Sequence, residues 1–287
     1  MATHLSAAQH EQYLRDGFIH PLTVMSAAET AAFRARVEVA ESRFGKLHYV
    51  VKPHLVLKVA DELAHWPPLL DAMTDILGPD LLLWDATFIV KEPTAKAFVS
   101  WHQDMTYWGL ESDDPDDVAS VWLALSPATI ASGCMRMAPG SHRRGHLPHR
   151  ETRDPANVLS RGQTVDVDEN GETFVHTELQ PGQMSIHHGW TLHASGPNRS
   201  ADRRIGFNMN FARPRVRQVK HRRDSAMLMR GRDSFGHFQL EPRPTGDFAP
   251  DACALQAEIA RMRGEEMPPE MARSLINPLA RGTTPTG

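Results

Sequence analysis

The stretch LLLWDATFIVK, residues 81–91, opens a series of short apolar runs that decides the fold. The runs that follow it are FVSWHQDMTYW (98–108), VASVWLALSPA (118–128), CMRMAPGS (134–141), QTVDV (163–167), MSIHHGW (184–190) and RIGFNMNFAR (204–213). Clusters of Pro, Gly and Asp separate these runs, and no helical pattern alternates with them. Short strands divided by turn residues are typical of a β-sandwich or barrel, whereas a parallel α/β sheet needs helices between its strands. The pattern therefore predicts a mostly β core.

Helical patterns flank this region on both sides. Ser6 opens a predicted helix over residues 6–16. Ser26, with Glu29 three residues later, is a capping-box pattern at the start of a longer helix that ends at Gly45. Further helices are predicted over residues 67–77 and 251–263.

The chain has no internal repeat and no linker clear enough to divide it, so we predict one domain over residues 1–287. Its predicted parts are a helical front (1–80), a β core (81–213) and an extension or lid with a tail (214–287). The composition of the last residues, 277–287, predicts disorder.

The composition excludes several classes of protein. With 31 Lys and Arg against 35 Asp and Glu, the net charge is −4, which argues against a protein that neutralises many phosphates of a nucleic acid. The first residues lack a basic segment followed by an apolar stretch, and no run approaches the roughly 18 apolar residues of a membrane span, so we expect a cytoplasmic protein without membrane contact. The 16 His and only 2 Cys favour a metal site of nitrogen and oxygen donors, with Cys134 and Cys253 as free thiols.

The segment Trp101-His102-Gln103-Asp104 is the first candidate for such a site. In an extended strand, side chains two residues apart project from the same face, so His102 and Asp104 could reach one metal ion. In a chain so rich in His and acidic residues, one such pair is also expected by chance.

The segment LHASGPNRSADRRIGF, residues 192–207, supplies the remaining candidates. His193 adds a second imidazole, and two imidazoles with one carboxylate suit ferrous iron with open positions, although zinc accepts the same ligands. A buried Arg204 would suit the carboxylate of a bound organic acid, whereas an exposed Arg203–Arg204 pair would be an ordinary basic surface. The combination, more than any single residue, indicates a site.

Together these motifs resemble the phytanoyl-CoA dioxygenase family of iron(II)- and 2-oxoglutarate-dependent oxygenases. The resemblance lies in WHQD (101–104), SGCMRMAPGSH (132–142), LHASGPNRSADRRIGF and the amino-terminal EQYLRDGFIHP (11–21), and it covers roughly residues 8–212. It implies a double-stranded β-helix core (jelly roll, cupin-like), with amino-terminal helices packed on it and a carboxyl-terminal helical extension.

The resemblance also implies roles for single residues. His102, Asp104 and His193 would bind Fe(II), while Arg204 and Ser195 would bind the far carboxylate of 2-oxoglutarate. Trp108 matches an aromatic residue of the family near the cosubstrate. The implied reaction hydroxylates an unactivated C–H bond of a small polar metabolite or natural-product intermediate, and converts 2-oxoglutarate and O₂ to succinate and CO₂. Asp104 disfavours halogenation, because a carboxylate occupies the position that a chloride ligand needs, whereas desaturation and cyclisation stay open.

The substrate side is predicted from strand alternation alone. The candidates are Trp84, Asp85, Thr87, Lys91, Tyr107, Arg136, Asn208 and, from a segment that could cover the barrel mouth, Arg230. Each could equally lie on an outer face. Of the neighbours His187 and His188, at most one can face inward, and a packing role is predicted for that one.

Two other functions are compatible with the same residues. One is a metal-binding jelly roll that senses a small molecule without turnover, although such a sensor would not need Arg204 to hold a cosubstrate. The other is a zinc hydrolase, for which the sequence offers no obvious additional general base.

Overall fold

The computed structural model describes residues 5–264 except 153, 155 and 160–162. The helices are α1 (Ala7–Asp16), α2 (Ala27–Phe44), α3 (Lys58–Ala64), α4 (Pro67–Leu77), α5 (Met105–Trp108) and α6 (Pro250–Gly264). The strands are β1 (Phe18–Thr23), β2 (Leu81–Lys91), β3 (Val99–His102), β4 (Leu110–Glu111), β5 (Val118–Ala124), β6 (Met135–Met137), β7 (His149–Glu151), β8 (Gln163–Val165), β9 (Val175–Thr177), β10 (Gln183–His188), β11 (His193–Ser195), β12 (Arg204–Ala212), β13 (Arg217–Gln218), β14 (Ser225–Arg230) and β15 (Gln239–Leu240). The tail predicted to be disordered, 277–287, lies outside the described residues.

Two sheets organise the molecule. The major sheet has seven strands in the order β1-β10-β5-β12-β2-β14-β15, and the minor sheet has four in the order β3-β11-β6-β9. All pairs in both sheets are antiparallel except β14–β15. The prediction of a mostly β fold without a parallel α/β sheet is thus confirmed.

The major sheet extends beyond the predicted β core at both edges. Strand β1 belongs to the predicted helical front, and its Phe18 lies opposite His187 of β10. Strand β14 belongs to the predicted extension, and its Met227 lies opposite Leu83 of β2. Pro21 obscures the strand pattern of β1, since proline cannot donate to a sheet and is tolerated mainly on edge strands such as this one. The sheet therefore draws strands from all three predicted segments.

The predicted helices are present, and their capping patterns form. Ser26 Oγ accepts a hydrogen bond from the Glu29 amide at 3.2 Å, and the Glu29 carboxylate accepts one from the Ser26 amide at 2.8 Å. Helix α3 was not predicted. It has only seven residues, and its N-cap is Leu57, whose side chain cannot accept a capping hydrogen bond.

The helices cover one face of the major sheet. Phe88 and Phe207 of the central strands stack at 4.5 Å between ring centroids and belong to the same buried cluster as Val37 of α2 and Leu69 of α4. The polar side chains of the central strands project from the other face, toward the minor sheet. No helix in the part of the chain that the structure describes is long and apolar enough to cross a lipid bilayer.

Candidate active site

A cavity of about 410 Å³ lies between the two sheets. The major sheet contributes Asp85, Thr87, Ile89, Trp122, His187, Arg204, Asn208 and Asn210, the minor sheet contributes Val99, His102, Met135, His193, Ala194 and Ser195, and the connecting segments contribute Tyr49, Val51, Asp104, Tyr107, Trp108, Val158 and Leu159. Most of the side chains predicted for the site are therefore neighbours in space.

Three donor atoms converge in this cavity. His102 on β3 and His193 on β11 lie directly opposite each other in the minor sheet, with ring centroids 4.1 Å apart. Asp104 Oδ1 lies 3.3 Å from His102 Nε2 and 3.8 Å from His193 Nε2. One ligand atom from each of the three residues lies within 4.8 Å of the others.

His102 and Asp104 do converge, but the prediction that they share one face of a strand is wrong. Strand β3 ends at His102, and Asp104 has helical backbone angles (φ −58°, ψ −45°) at the start of α5. The turn after the strand, rather than strand alternation, brings the carboxylate back toward the imidazoles.

Hydrogen bonds fix both imidazole rings. His102 Nδ1 lies 2.9 Å from the Ser100 carbonyl oxygen, and His193 Nδ1 lies 2.9 Å from the Thr191 carbonyl oxygen. Because a carbonyl only accepts, each Nδ1 carries the proton and each Nε2 presents a free lone pair to the cavity.

The charge states also suit a metal ion. Burial, reinforced by the proximity of His102, lowers the pKa of His193 to about 3, so this imidazole is neutral. Burial alone would raise the pKa of Asp104, but the surrounding imidazoles, His193 first among them, hold that pKa well below its usual range. Two neutral nitrogens and one carboxylate fit a divalent iron ion.

A second group of side chains is built around Arg204. Its side chain is 1% exposed, and its guanidinium lies 5.1 Å from the centroid of the Trp122 ring. One guanidinium nitrogen donates to the Gly133 carbonyl oxygen at 2.5 Å, whereas Nε has no hydrogen-bond partner in the described part of the chain. Burial lowers the pKa of Arg204 to about 10, which still leaves it charged at neutral pH. A buried cation with an unused donor is suited to an anionic ligand.

Lys91, predicted to face the substrate, lies instead behind Ser195. Its Nζ donates to Ser195 Oγ at 2.7 Å, and it is opposite Arg204 in the β2–β12 pair. Burial, with the nearby guanidinium of Arg204 as the second cause, lowers the pKa of Lys91 to about 6. Lys91 thus belongs to the same corner as Arg204.

The polar residues farther along β2 and β12 form another part of the cavity. Asn210 lies six residues beyond Arg204 on β12, a distance of about 20 Å along a strand. Asn208 Nδ2 donates to Asn210 Oδ1 at 3.0 Å. Asp85 accepts from Arg263 at 2.7 Å, and the Thr87 hydroxyl donates to the Val50 carbonyl oxygen at 3.1 Å. Tyr107 and Trp108 also line the cavity.

Three predicted substrate residues lie elsewhere. Trp84 sits at a bulge of β2 and donates its indole N–H to Asp224 at 2.6 Å, outside the cavity lining. Arg136 projects from β6 opposite to Met135, so it pairs with Glu169 at 2.9 Å. Arg230 contacts Asp71 and Thr74 of α4, and the segment that carries it does not line the cavity.

Sequence reasoning missed the contact that His187 makes. His187 faces inward, with Nε2 3.4 Å from Asp104 Oδ2, whereas His188 faces outward and contacts Asp116 at 3.1 Å. The expectation that only one of the two faces inward is confirmed. Asn210 and Trp122 were also missed, although the two-residue period from Asn208 could have revealed Asn210.

The chain is similar in sequence to proteins of a known family. The family model "Phytanoyl-CoA dioxygenase (PhyH)" matches residues 13–206. The probable alpha-ketoglutarate-dependent hypophosphite dioxygenase of Stutzerimonas stutzeri is 28% identical over 228 residues, which cover 72% of this chain and 78% of that protein. The 1-deoxypentalenic acid 11-beta-hydroxylase of Streptomyces exfoliatus is 26% identical over 194 residues, covering 65% of this chain and 62% of that protein.

Solved structures show the same fold. The apo form of the non-heme monooxygenase ThoJ superposes with a TM-score of 0.76 at 33% identity, covering 95% of this chain and 99% of that one. CytC3 with Fe(II) and alpha-ketoglutarate has a TM-score of 0.62 at 20% identity, covering 84% of this chain and 94% of that one. The chain is therefore a member of the phytanoyl-CoA dioxygenase family of iron(II)- and 2-oxoglutarate-dependent oxygenases.

Proposed function

We propose that this protein hydroxylates a C–H bond of a small polar molecule, using Fe(II) held by His102, Asp104 and His193. The observation that carries the proposal is the convergence of one carboxylate oxygen and two imidazole Nε2 atoms, whose rings are each locked by a backbone carbonyl. We further propose that the two facing sheets are the halves of a double-stranded β-helix, with the amino-terminal helices packed on it, and that residues 1–287 form one domain.

Arg204 and Ser195 are proposed to bind the far carboxylate of 2-oxoglutarate. A carboxylate at this point would accept from the unpaired Nε of Arg204 and from the Ser195 hydroxyl. Lys91, which contacts Ser195, would add a second cation once protonated. The Trp122 ring stacked on the guanidinium keeps Arg204 in place. Trp108 is proposed to line the cosubstrate from the cavity wall.

The iron, when bound, would supply O₂ activation coupled to decarboxylation of 2-oxoglutarate. The overall stoichiometry is one substrate C–H bond, one O₂ and one 2-oxoglutarate consumed, and one C–OH group, one succinate and one CO₂ formed. The protein's own residues place the cosubstrate, exclude water between the two sheets and hold the substrate carbon in position. Asp104 fills the coordination position that halogenation would require for chloride.

The charge of the cavity supports an uncharged polar substrate. Among the described residues that line it, Arg204 is the only Lys or Arg, and the proposed cosubstrate engages it. Asp85 is already paired with Arg263 and Asp104 is a proposed iron ligand, while Asn208 and Asn210 offer neutral amides. We therefore propose Asp85, Thr87, Tyr107 and Asn208 as substrate-side residues. A volume of about 410 Å³ that also holds 2-oxoglutarate suits a small substrate.

The proposal is tested by measuring succinate formation and O₂ consumption by the iron-loaded protein. Wild-type protein is expected to form succinate from 2-oxoglutarate only when O₂ is present. His193→Ala and Asp104→Ala are expected to lower the rate at least 100-fold, and Arg204→Ala is expected to raise the KM for 2-oxoglutarate.

Arg203→Ala is the matched control for Arg204→Ala. Arg203 is the adjacent residue, but it points outward to Glu41 at 2.8 Å and Glu92 at 2.9 Å. An unchanged KM in Arg204→Ala, or an undiminished rate in His193→Ala, would contradict the proposal. Zinc in anaerobically purified protein, with no O₂-dependent succinate, would instead favour a hydrolase.

A further inference from the structure

The two oxygens of the Asp104 carboxylate face different partners. Oδ1 lies 3.3 Å from His102 Nε2 and 3.8 Å from His193 Nε2, on the side where the three donor atoms converge. The other oxygen, Oδ2, lies 3.4 Å from His187 Nε2. His187 itself is 1% exposed. An imidazole that is not one of the three converging residues thus contacts the carboxylate from behind.

We propose that His187 is a positioning residue that donates its Nε2–H to Asp104 Oδ2 and so presents Oδ1 to the metal. This inference rests on the proposed role of His102, Asp104 and His193 as metal ligands. A carboxylate bound through one oxygen can rotate about its side-chain bonds unless its second oxygen is held, and partners of this kind raise metal affinity. At the start of α5, Asp104 otherwise has no strand to fix it.

The only other group on this oxygen is less suited to the task within the described part of the chain. Ser120 Oγ also lies 3.4 Å from Oδ2, but it has a single hydrogen and lies closer, at 3.0 Å, to Asn210 Oδ1. An amide oxygen only accepts, so the Ser120 hydroxyl donates to Asn210. His187 is therefore the donor left for Asp104.

The major sheet holds His187 in this orientation. Its backbone is paired on both sides, with Phe18 on β1 and Ser120 on β5. Strand alternation then sends His188 to the opposite face, toward Asp116. His187 Nδ1 has no hydrogen-bond partner among the residues described, so the ring is free to keep its proton on Nε2.

The test measures binding of Fe(II), and separately of Co(II), to metal-free protein under anaerobic conditions without cosubstrate. His187→Phe keeps the ring volume and removes the donor, and it is expected to weaken metal binding about 10- to 100-fold. His187→Gln keeps an N–H donor and is expected to recover most of that loss. The unfolding temperature of the metal-free variants is expected to stay near that of wild type.

His188→Phe is the matched control, because it removes a buried imidazole one residue away on the opposite face. Its metal affinity is expected to match wild type. If His187→Phe does not fold, His187→Asn takes its place, because the Asn side chain is too short to reach Oδ2. Its metal affinity is then compared with that of His187→Gln. Metal affinity of the folded His187 variants within twofold of wild type would overturn the inference, whereas failure of wild-type protein to bind either metal would overturn the proposed function itself.

Discussion

Lys91 illustrates how one buried residue can couple ligand binding to pH. Burial, followed by the effect of Arg204, lowers its pKa to about 6 in the ligand-free protein. It is therefore mostly neutral at pH 8. A carboxylate of 2-oxoglutarate placed at Arg204 and Ser195 would raise that pKa, since an opposite charge favours the protonated form.

Binding of 2-oxoglutarate is thus expected to take up a proton above pH 6. The Kd should be constant below pH 6 and rise as the pH increases above it, by up to tenfold per pH unit until the raised pKa is passed. Calorimetry in two buffers of different ionisation enthalpy measures this uptake. Lys91→Met should give a Kd that changes little between pH 6.5 and 8.5, and a flat wild-type profile would contradict the assignment of Lys91 to the cosubstrate.

Individual site residues could be predicted where a motif defines them. His102, His193, Ser195 and Arg204 all line one cavity, as the two sequence motifs indicate. His187 could not be assigned a contact, because its role depends on which face of β10 turns inward and on a turn residue distant in sequence. The long-range pairing of strands decides both the inward face of β10 and the position of that turn residue. No local sequence pattern contains this information.

At the scale of elements, β12 and β5 must approach closely to hold Arg204. Gly206 of β12 lies beside the Trp122 ring, and a Cβ added to Gly206 would come 1.9 Å from the Trp122 Cζ2 atom. Trp122 is 3% exposed, so the indole is enclosed by the protein. The glycine therefore makes room for the indole that stacks on the guanidinium.

Gly206→Ala is accordingly expected to destabilise the fold by about 1–3 kcal/mol and to weaken 2-oxoglutarate binding. Chemical denaturation and the cosubstrate Kd measure the two effects. Gly246→Ala, at a position where nothing lies within 4 Å of an added Cβ, should change neither. If Gly206→Ala and Gly246→Ala had the same stability and the same Kd for 2-oxoglutarate, the Trp122 ring would not constrain Arg204.

Elements could be predicted from sequence when their signals were local. Ser26 and Glu29 predicted the start of α2 because capping depends on neighbours in the chain. Strands β1 and β14 carry no comparable signal, and the short helix α3 begins after Leu57 without a side-chain cap. Their identity comes from the sheet and core against which they pack.

At the scale of the whole molecule, the carboxyl-terminal segment supports the wall of the cavity from behind. The family model ends at residue 206, yet Arg263 of α6 reaches back to Asp85 at 2.7 Å and Asp224 at 3.2 Å. Its guanidinium also lies 4.5 Å from the centroid of the Trp84 ring. The extension therefore supplies the cation that balances a cavity-lining carboxylate.

Arg263→Gln is expected to destabilise the protein by about 3–5 kcal/mol, since it leaves the buried Asp224 and the half-buried Asp85 without their cation. Urea denaturation measures the loss. Arg261→Gln, on the exposed side of the same helix, is the control and should change stability by less than about 0.5 kcal/mol. Adding Asp85→Asn to Arg263→Gln should restore part of the stability, and a double variant no more stable than the single one would contradict the pairing.

The central claim is that three residues hold iron while Arg204 holds 2-oxoglutarate beside it. Anaerobic titration of the Fe(II)-loaded protein with 2-oxoglutarate tests this most directly, because chelation by the cosubstrate gives a visible charge-transfer band. We predict a band that saturates at one 2-oxoglutarate per chain, is absent in His193→Ala and needs a higher 2-oxoglutarate concentration in Arg204→Ala. Folded wild-type protein that binds Fe(II) and yet shows no band at any concentration of 2-oxoglutarate would contradict it.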